Sequence, residues 1–236
     1  MDSRERPSPL LGFWASIAFL VTTAAYLVAL VVMMATGGDD PAVEPWATVF
    51  NVLNLVAPLI GVPIWCSAHL LAPARARAYT LSACVFAAGW AASVTINRFI
   101  GMTLVPQSTR SGDTQGLEWF LTYSWPSATR AIEMLGWGVF FALSCLFLAA
   151  AFTRAGLERA IAITLALIGV LSFIGATIGL AIDSETLMGT IAPIGWGAGP
   201  AVAAALLAIW FHRQPRAVIN LPNASATATE PATAQP

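Results

Sequence analysis

The chain has 236 residues, 58% of them hydrophobic and only 10% charged, with a net charge of −1 and a mean hydropathy of +0.75. Soluble domains carry roughly 25% charged residues, so an ordinary soluble protein is excluded, and no basic patch points to nucleic acid. All eleven basic residues are arginine, which excludes chemistry that needs a lysine amine.

Residues 1–9 form a short polar head with Arg4 and Arg6. The apolar run from Leu10 to Ala35 exceeds the roughly 7–15 residues of a signal-peptide core and predicts an uncleaved first helix. Further apolar segments predict helices over about 46–71, 79–100, 131–152, 160–182 and 187–211, and a low-complexity, disordered tail over 217–236. Residues 10–216 therefore read as one all-α membrane domain of six spanning helices.

Arginines alternate with the predicted loops. Positions 4, 6, 75, 77, 154, 159, 213 and 216 fall on one side, and only 98, 110 and 130 on the other. Cytoplasmic loops carry the basic excess, so the expectation is a multi-pass protein of a bacterial plasma membrane with both termini cytoplasmic. The fourth and sixth segments also share a local pattern. Gly136-Trp137-Gly138 and Gly195-Trp196-Gly197 each place their tryptophan fifteen residues before a phenylalanine, Phe152 and Phe211.

The interval Asn97 to Gly138 is the one long polar-bearing stretch and the first place to look for function. Candidate ligand-binding groups gather at the outer helix ends: Asn51, Asn54, Asn97, Arg98, Trp119, Trp125, Glu133, Trp137 and Asp183. Asn51 and Asn54 share a helix face. Ionisable residues inside a span are costly and usually mark function, which nominates Arg98 and Glu133 for an outward-facing pocket. The ordinary alternative is that both sit at headgroup level and anchor helix ends by snorkelling. Trp119, Tyr123 and Trp125, with Glu118, read either as an aromatic lid or as part of the interfacial aromatic belt. Trp14, Trp46, Trp65 and Trp210 fit that belt, whereas Trp90 falls mid-span. Gly175 with Gly179, and Gly195 with Gly199, are small-residue pairs four apart, expected to pack the fifth helix on the sixth or to meet a partner helix.

No metal or cofactor is expected. Cys66, Cys84 and Cys145 form no CxxC, and two histidines, His69 and His212, are too few for a two-haem site. No GxSxG, HExxH or Walker motif occurs.

The pieces TINRFIGMTLV (95–105), GLEWF (116–120), AIEMLGWGVFFALSCLFLAAAF (131–152) and GLERAIAITLALIGVLSFIGA (156–176) together resemble a group of bacterial six-helix integral membrane proteins with no assigned activity. The likeness covers roughly residues 95–211. It implies the six-helix architecture and lends no catalytic residue. Arg98 stands where that group's pattern leads us to expect an aromatic.

Three functions remain open on these grounds. The first is binding of a small or lipid-like molecule in an outward-facing pocket, in a sensing, accessory or small-transport role. The second is an embedded enzyme acting on an isoprenoid or other lipid, with Glu133 as general acid. The third is a structural scaffold.

Overall fold

The computed structural model describes residues 9–37, 45–121, 126–182, 187, 191 and 194–215. Asp183, Tyr123 and Trp125 lie outside them, as do the polar head and the tail. Among the described residues the fold is all helical, and six helices are long and apolar enough to cross a membrane. We name them α1 (Leu10–Gly37), α2 (Trp46–Leu71), α3 (Arg77–Ser111), α4 (Ala128–Ala149), α5 (Leu157–Ala181) and α6 (Ile194–His212). The protein is a multi-pass membrane helical bundle.

Each helix packs on its neighbour in the chain, and α1 also packs on α6, which closes the ring. The ring is built inside out relative to a soluble bundle. Val21, Val28, Val31, Val85 and Leu167 point outward, each more than half exposed, where lipid rather than water must meet them. Trp90, Phe141, Leu165 and Leu207 fill the centre and are almost fully buried. Trp90 therefore packs rather than lining an open space. Gly61 makes this possible, because a Cβ there would come within 2.6 Å of the Trp90 ring. Trp65, expected in the interfacial belt, is instead 4% exposed. Its ring lies 6.3 Å from that of Trp90, and its Nε1 donates to the Ser144 carbonyl at 3.4 Å.

Helix α3 is the main departure from expectation. It runs on past residue 100 to Ser111, through Pro106, and stops at Gly112, whose φ of 74° provides a left-handed cap. Its 35 residues rise about 52 Å, well beyond a hydrocarbon core of about 30 Å. Residues Gly101–Ser111 are polar enough to leave the bilayer, yet they keep helical hydrogen bonding. Apolar periodicity marked the end of the span rather than the end of the helix.

Helices α4, α5 and α6 each contain a π-helical turn: Leu135–Phe141, Phe173–Ile178 and Ile194–Ala198. Such turns take an extra residue per turn and re-aim the side chains on them. Both Gly-Trp-Gly motifs fall on these turns, and the rings of Trp137 and Trp196 stand 6.1 Å apart. Gly195 and Gly199 do pack α6 on α5, as expected, since Cβ atoms there would meet Ser172 Oγ at 2.6 Å and Ile168 at 2.7 Å. The π-turn that carries Gly175, and that ends just before Gly179, packs instead on the π-turn of α4. There Gly138 leaves room for Ala176 and Thr177.

Candidate functional site

The two ends of the bundle differ. One end holds Arg75, Arg77, Arg154, Arg159 and Arg213, and we call it the basic end. The other end holds the candidates read from the sequence.

At that far end, Ser127 caps α4 by accepting the Arg130 N–H at 3.1 Å, which sets the first turn and places Glu133 one turn further in. Arg98 on α3 and Glu133 form an ion pair, 4% and 6% exposed respectively. Asn97 Nδ2 donates to the other carboxylate oxygen. Trp137 Nε1, one helical turn after Glu133, donates to Oε1 at 3.0 Å. Arg98 Nη1 donates to Asn51 Oδ1 at 3.0 Å. With its amide oxygen turned to the guanidinium, Asn54 accepts from Nη2 at 2.7 Å and from Nε at 3.0 Å. Phe50 lies under the guanidinium, 5.6 Å from ring centroid to Cζ.

Six of the nine predicted ligand-binding residues thus form one network across α2, α3 and α4. The snorkelling alternative for Arg98 and Glu133 is overturned, because their charges turn inward to each other and not to the headgroups. Depth alone left both readings open. About 30 Å of helix rise separates Tyr79 from Arg98, about the thickness of a hydrocarbon core, yet the pair is enclosed by protein. The network's donors and acceptors meet one another and leave little space. A cavity of about 20 Å³ lies beside Asn54 and Trp137, between Thr23, Tyr26 and Trp196, which is room for about one water. Trp119 does not join the network. It sits on the short 3-10 turn Leu117–Phe120 and is 52% exposed, which suits an interfacial side chain and not a pocket wall.

From Trp137 an aromatic column descends into the core. Its ring meets Trp90 edge-on at 5.1 Å, and Trp90 meets Phe141 at 4.7 Å. Among the described residues the Trp90 Nε1 has no hydrogen-bond partner.

The larger space lies at the basic end and was not anticipated. A cavity of about 220 Å³ opens where the α2–α3 turn, the α4–α5 turn and the end of α6 meet. Ala68, Leu71, Leu148, Phe152 and Trp210 supply its apolar wall, and Arg75, Thr80, Thr153, Arg154, Glu158 and Gln214 its polar one. Arg75 Nη2 donates to Thr153 Oγ1 at 3.4 Å, and Arg154 pairs loosely with Glu158 at 3.7 Å. Thr80, 2% exposed, bonds His69 Nδ1 at 2.8 Å and the carbonyls of Ala76 and Arg77, each at 3.2 Å. The signal for this site was present in the sequence as three arginine-bearing turns on one side, which a six-helix ring must bring close together.

Among the described residues no group of three or more His, Cys, Asp or Glu side chains is placed to hold a metal ion. Comparison with family models, curated proteins and solved structures finds no match for the chain.

Proposed function

We propose that the protein is a non-catalytic component of a bacterial plasma membrane that binds a small or lipid-like molecule, in a sensing, accessory or small-transport role. The observation that carries this reading is the cavity at the basic end, with one apolar wall and one polar wall. A well-formed cavity with a few convergent polar groups is the default binding site of a fold. The far-end residues, by contrast, spend their hydrogen bonds on each other. The arginine bias supports a cytoplasmic basic end, so the binding site moves from the outward side to the inward one.

Two observations weigh against the enzyme. Both oxygens of Glu133 face donors, whereas a general acid must present a proton to its substrate. The hydroxyl–imidazole pair at the cavity, Thr80 and His69, ties Thr80 to two backbone carbonyls as well, which is ordinary behaviour for a helical threonine. The scaffold reading keeps one observation in its favour. Helix α3 stands beyond the hydrocarbon thickness, with Phe99 60% and Leu104 40% exposed.

The test is mass spectrometry of what the protein carries after purification in mild detergent. Wild type is compared with Ala151→Phe, whose ring occupies the cavity, and with Glu133→Gln. A molecule lost from Ala151→Phe but kept by Glu133→Gln supports the reading. Identical lipid profiles in all three remove it and leave the scaffold.

A further inference from the structure

The wall of the basic-end cavity carries charge as well as polarity, and the charge has a sign. Two guanidinium groups, those of Arg75 and Arg154, face one carboxylate, that of Glu158. Among the described residues Arg75 has no carboxylate within ion-pair distance, and the Arg154–Glu158 pair is long, with the arginine side chain 76% exposed and the carboxylate 20%. The Thr153 hydroxyl oxygen takes its bond from Arg75, which leaves the hydroxyl proton to donate elsewhere. Gln214 Nε2 uses one bond on the Trp210 carbonyl at 3.3 Å, and its amide carries a second N–H. Donors therefore arrive from three separate segments, and that arrangement suits an oxyanion with several acceptor oxygens.

Size limits what can enter. At about 220 Å³ the cavity is smaller than the roughly 300–1,000 Å³ of sites that engulf a drug-sized ligand. It holds a head and the first carbons beyond it. In the apolar wall, Phe152 belongs to the buried core and Leu71 and Trp210 pack against it, a surface on which the start of a hydrocarbon chain would rest.

We propose that this cavity binds the phosphate head of an anionic membrane amphiphile, with Arg75 and Arg154 as the charge-bearing contacts. The proposal rests on the binding role above and names its ligand class. Arginine is suited to this because its planar fork meets phosphate oxygens two at a time.

The experiment uses the full chain in a neutral detergent and three probes: dilauroyl phosphatidic acid, dilauroylglycerol with the same chains but no charge, and inorganic phosphate. Binding is read from tryptophan fluorescence, since Trp210 lines the site, and is checked by native mass spectrometry. The expected result is that phosphatidic acid binds wild type, and that Arg75→Gln and Arg154→Gln each weaken it about tenfold or more. Arg110→Gln, at the far end, should leave it unchanged. The neutral lipid should bind weakly and alike in all four proteins. Equal binding of both lipids by wild type overturns the anion inference but leaves an amphiphile site. Absence of binding by either lipid overturns the binding role itself. Inorganic phosphate that displaces the lipid at low millimolar concentration moves the source from lipid to soluble phosphate. Equal loss in Arg110→Gln removes the site from the cavity.

Discussion

Arg98 and Arg75 carry the same guanidinium at opposite ends of one bundle. Arg98 is enclosed, paired with Glu133 and held by Asn51 and Asn54 on a neighbouring helix. Arg75 is exposed, touches one threonine hydroxyl and edges a cavity. A charge that is fully partnered ties helices together and has little left to offer a ligand. A charge with few partners contributes little to the fold and keeps its capacity to bind. The far end is therefore read as a clamp and the basic end as a receptor.

The sharpest way to break this contrast is to remove one partner of the clamp. Stranding a buried charge costs about 3–5 kcal/mol, so Glu133→Ala should lower thermal stability in detergent by that much or prevent assembly. The double variant Arg98→Met with Glu133→Leu should recover part of the loss, because no lone charge remains although Asn51, Asn54 and Trp137 lose the partners given above. A Glu133→Ala protein that melts like wild type would mean that water reaches the pair and the far end is open after all.

Next in size are the glycine contacts that let α6 approach α5. A methyl at Gly195 would meet Ser172 Oγ at 2.6 Å and the Ser172 backbone nitrogen at 2.7 Å. Gly195→Ala should cost about 1–3 kcal/mol by overpacking. Among the described residues a Cβ added at Gly101 would meet no atom of another segment within 4 Å, so Gly101→Ala should be neutral or gain up to about 1 kcal/mol of helix propensity. Chemical or thermal unfolding of the two variants side by side separates packing from composition. Equal effects would argue that these glycines are there for their composition alone.

A smaller effect tests how the clamp divides its work. Asn51 gives Arg98 one neutral acceptor at 3.0 Å, and side-chain hydrogen bonds inside membranes average about 0.6 kcal/mol. Asn51→Ala should therefore cost well under what Glu133→Ala does. A loss as large as that of Glu133→Ala would show that the α2–α3 contact through Asn51 matters as much to the clamp as the α3–α4 ion pair.

What was legible follows the same division. Apolar runs longer than about 18 residues can satisfy their backbone only as spanning helices, so the six helices could be read directly from composition. The shared face of Asn51 and Asn54 was also readable from spacing, because the pattern is local. The pairing of Arg98 with Glu133 was visible only as two residues at similar depth. Whether two such charges meet or snorkel depends on the rotation of α3 against α4, and the π-turn beginning at Leu135 alters that rotation without any apolar signature. Trp65 was misplaced for a related reason, since depth fixes level but not facing. The cavity at the basic end depends on three turns that are far apart in the chain, and each alone looks like an ordinary arginine-bearing turn.

The smallest expected effect on stability is also the one that joins the two ends into a single argument. Glu158 pairs with Arg154 at 3.7 Å, and the arginine side chain is 76% exposed. A surface pair of this kind is worth about 0–1 kcal/mol and is further reduced by salt. Glu158→Gln should therefore melt within about 0.5 kcal/mol of wild type. If Arg154 belongs to the clamp's kind of chemistry, removing its partner would be felt as destabilisation and nothing else. If it belongs to a receptor, the loss of the Glu158 carboxylate from the cavity wall should instead tighten binding of an anionic head a few-fold, most clearly at low salt. Measured together, an unchanged melting transition and a tighter anion isotherm would separate charge kept for binding from charge used for folding. A destabilised protein with unchanged binding would place Arg154 with Arg98.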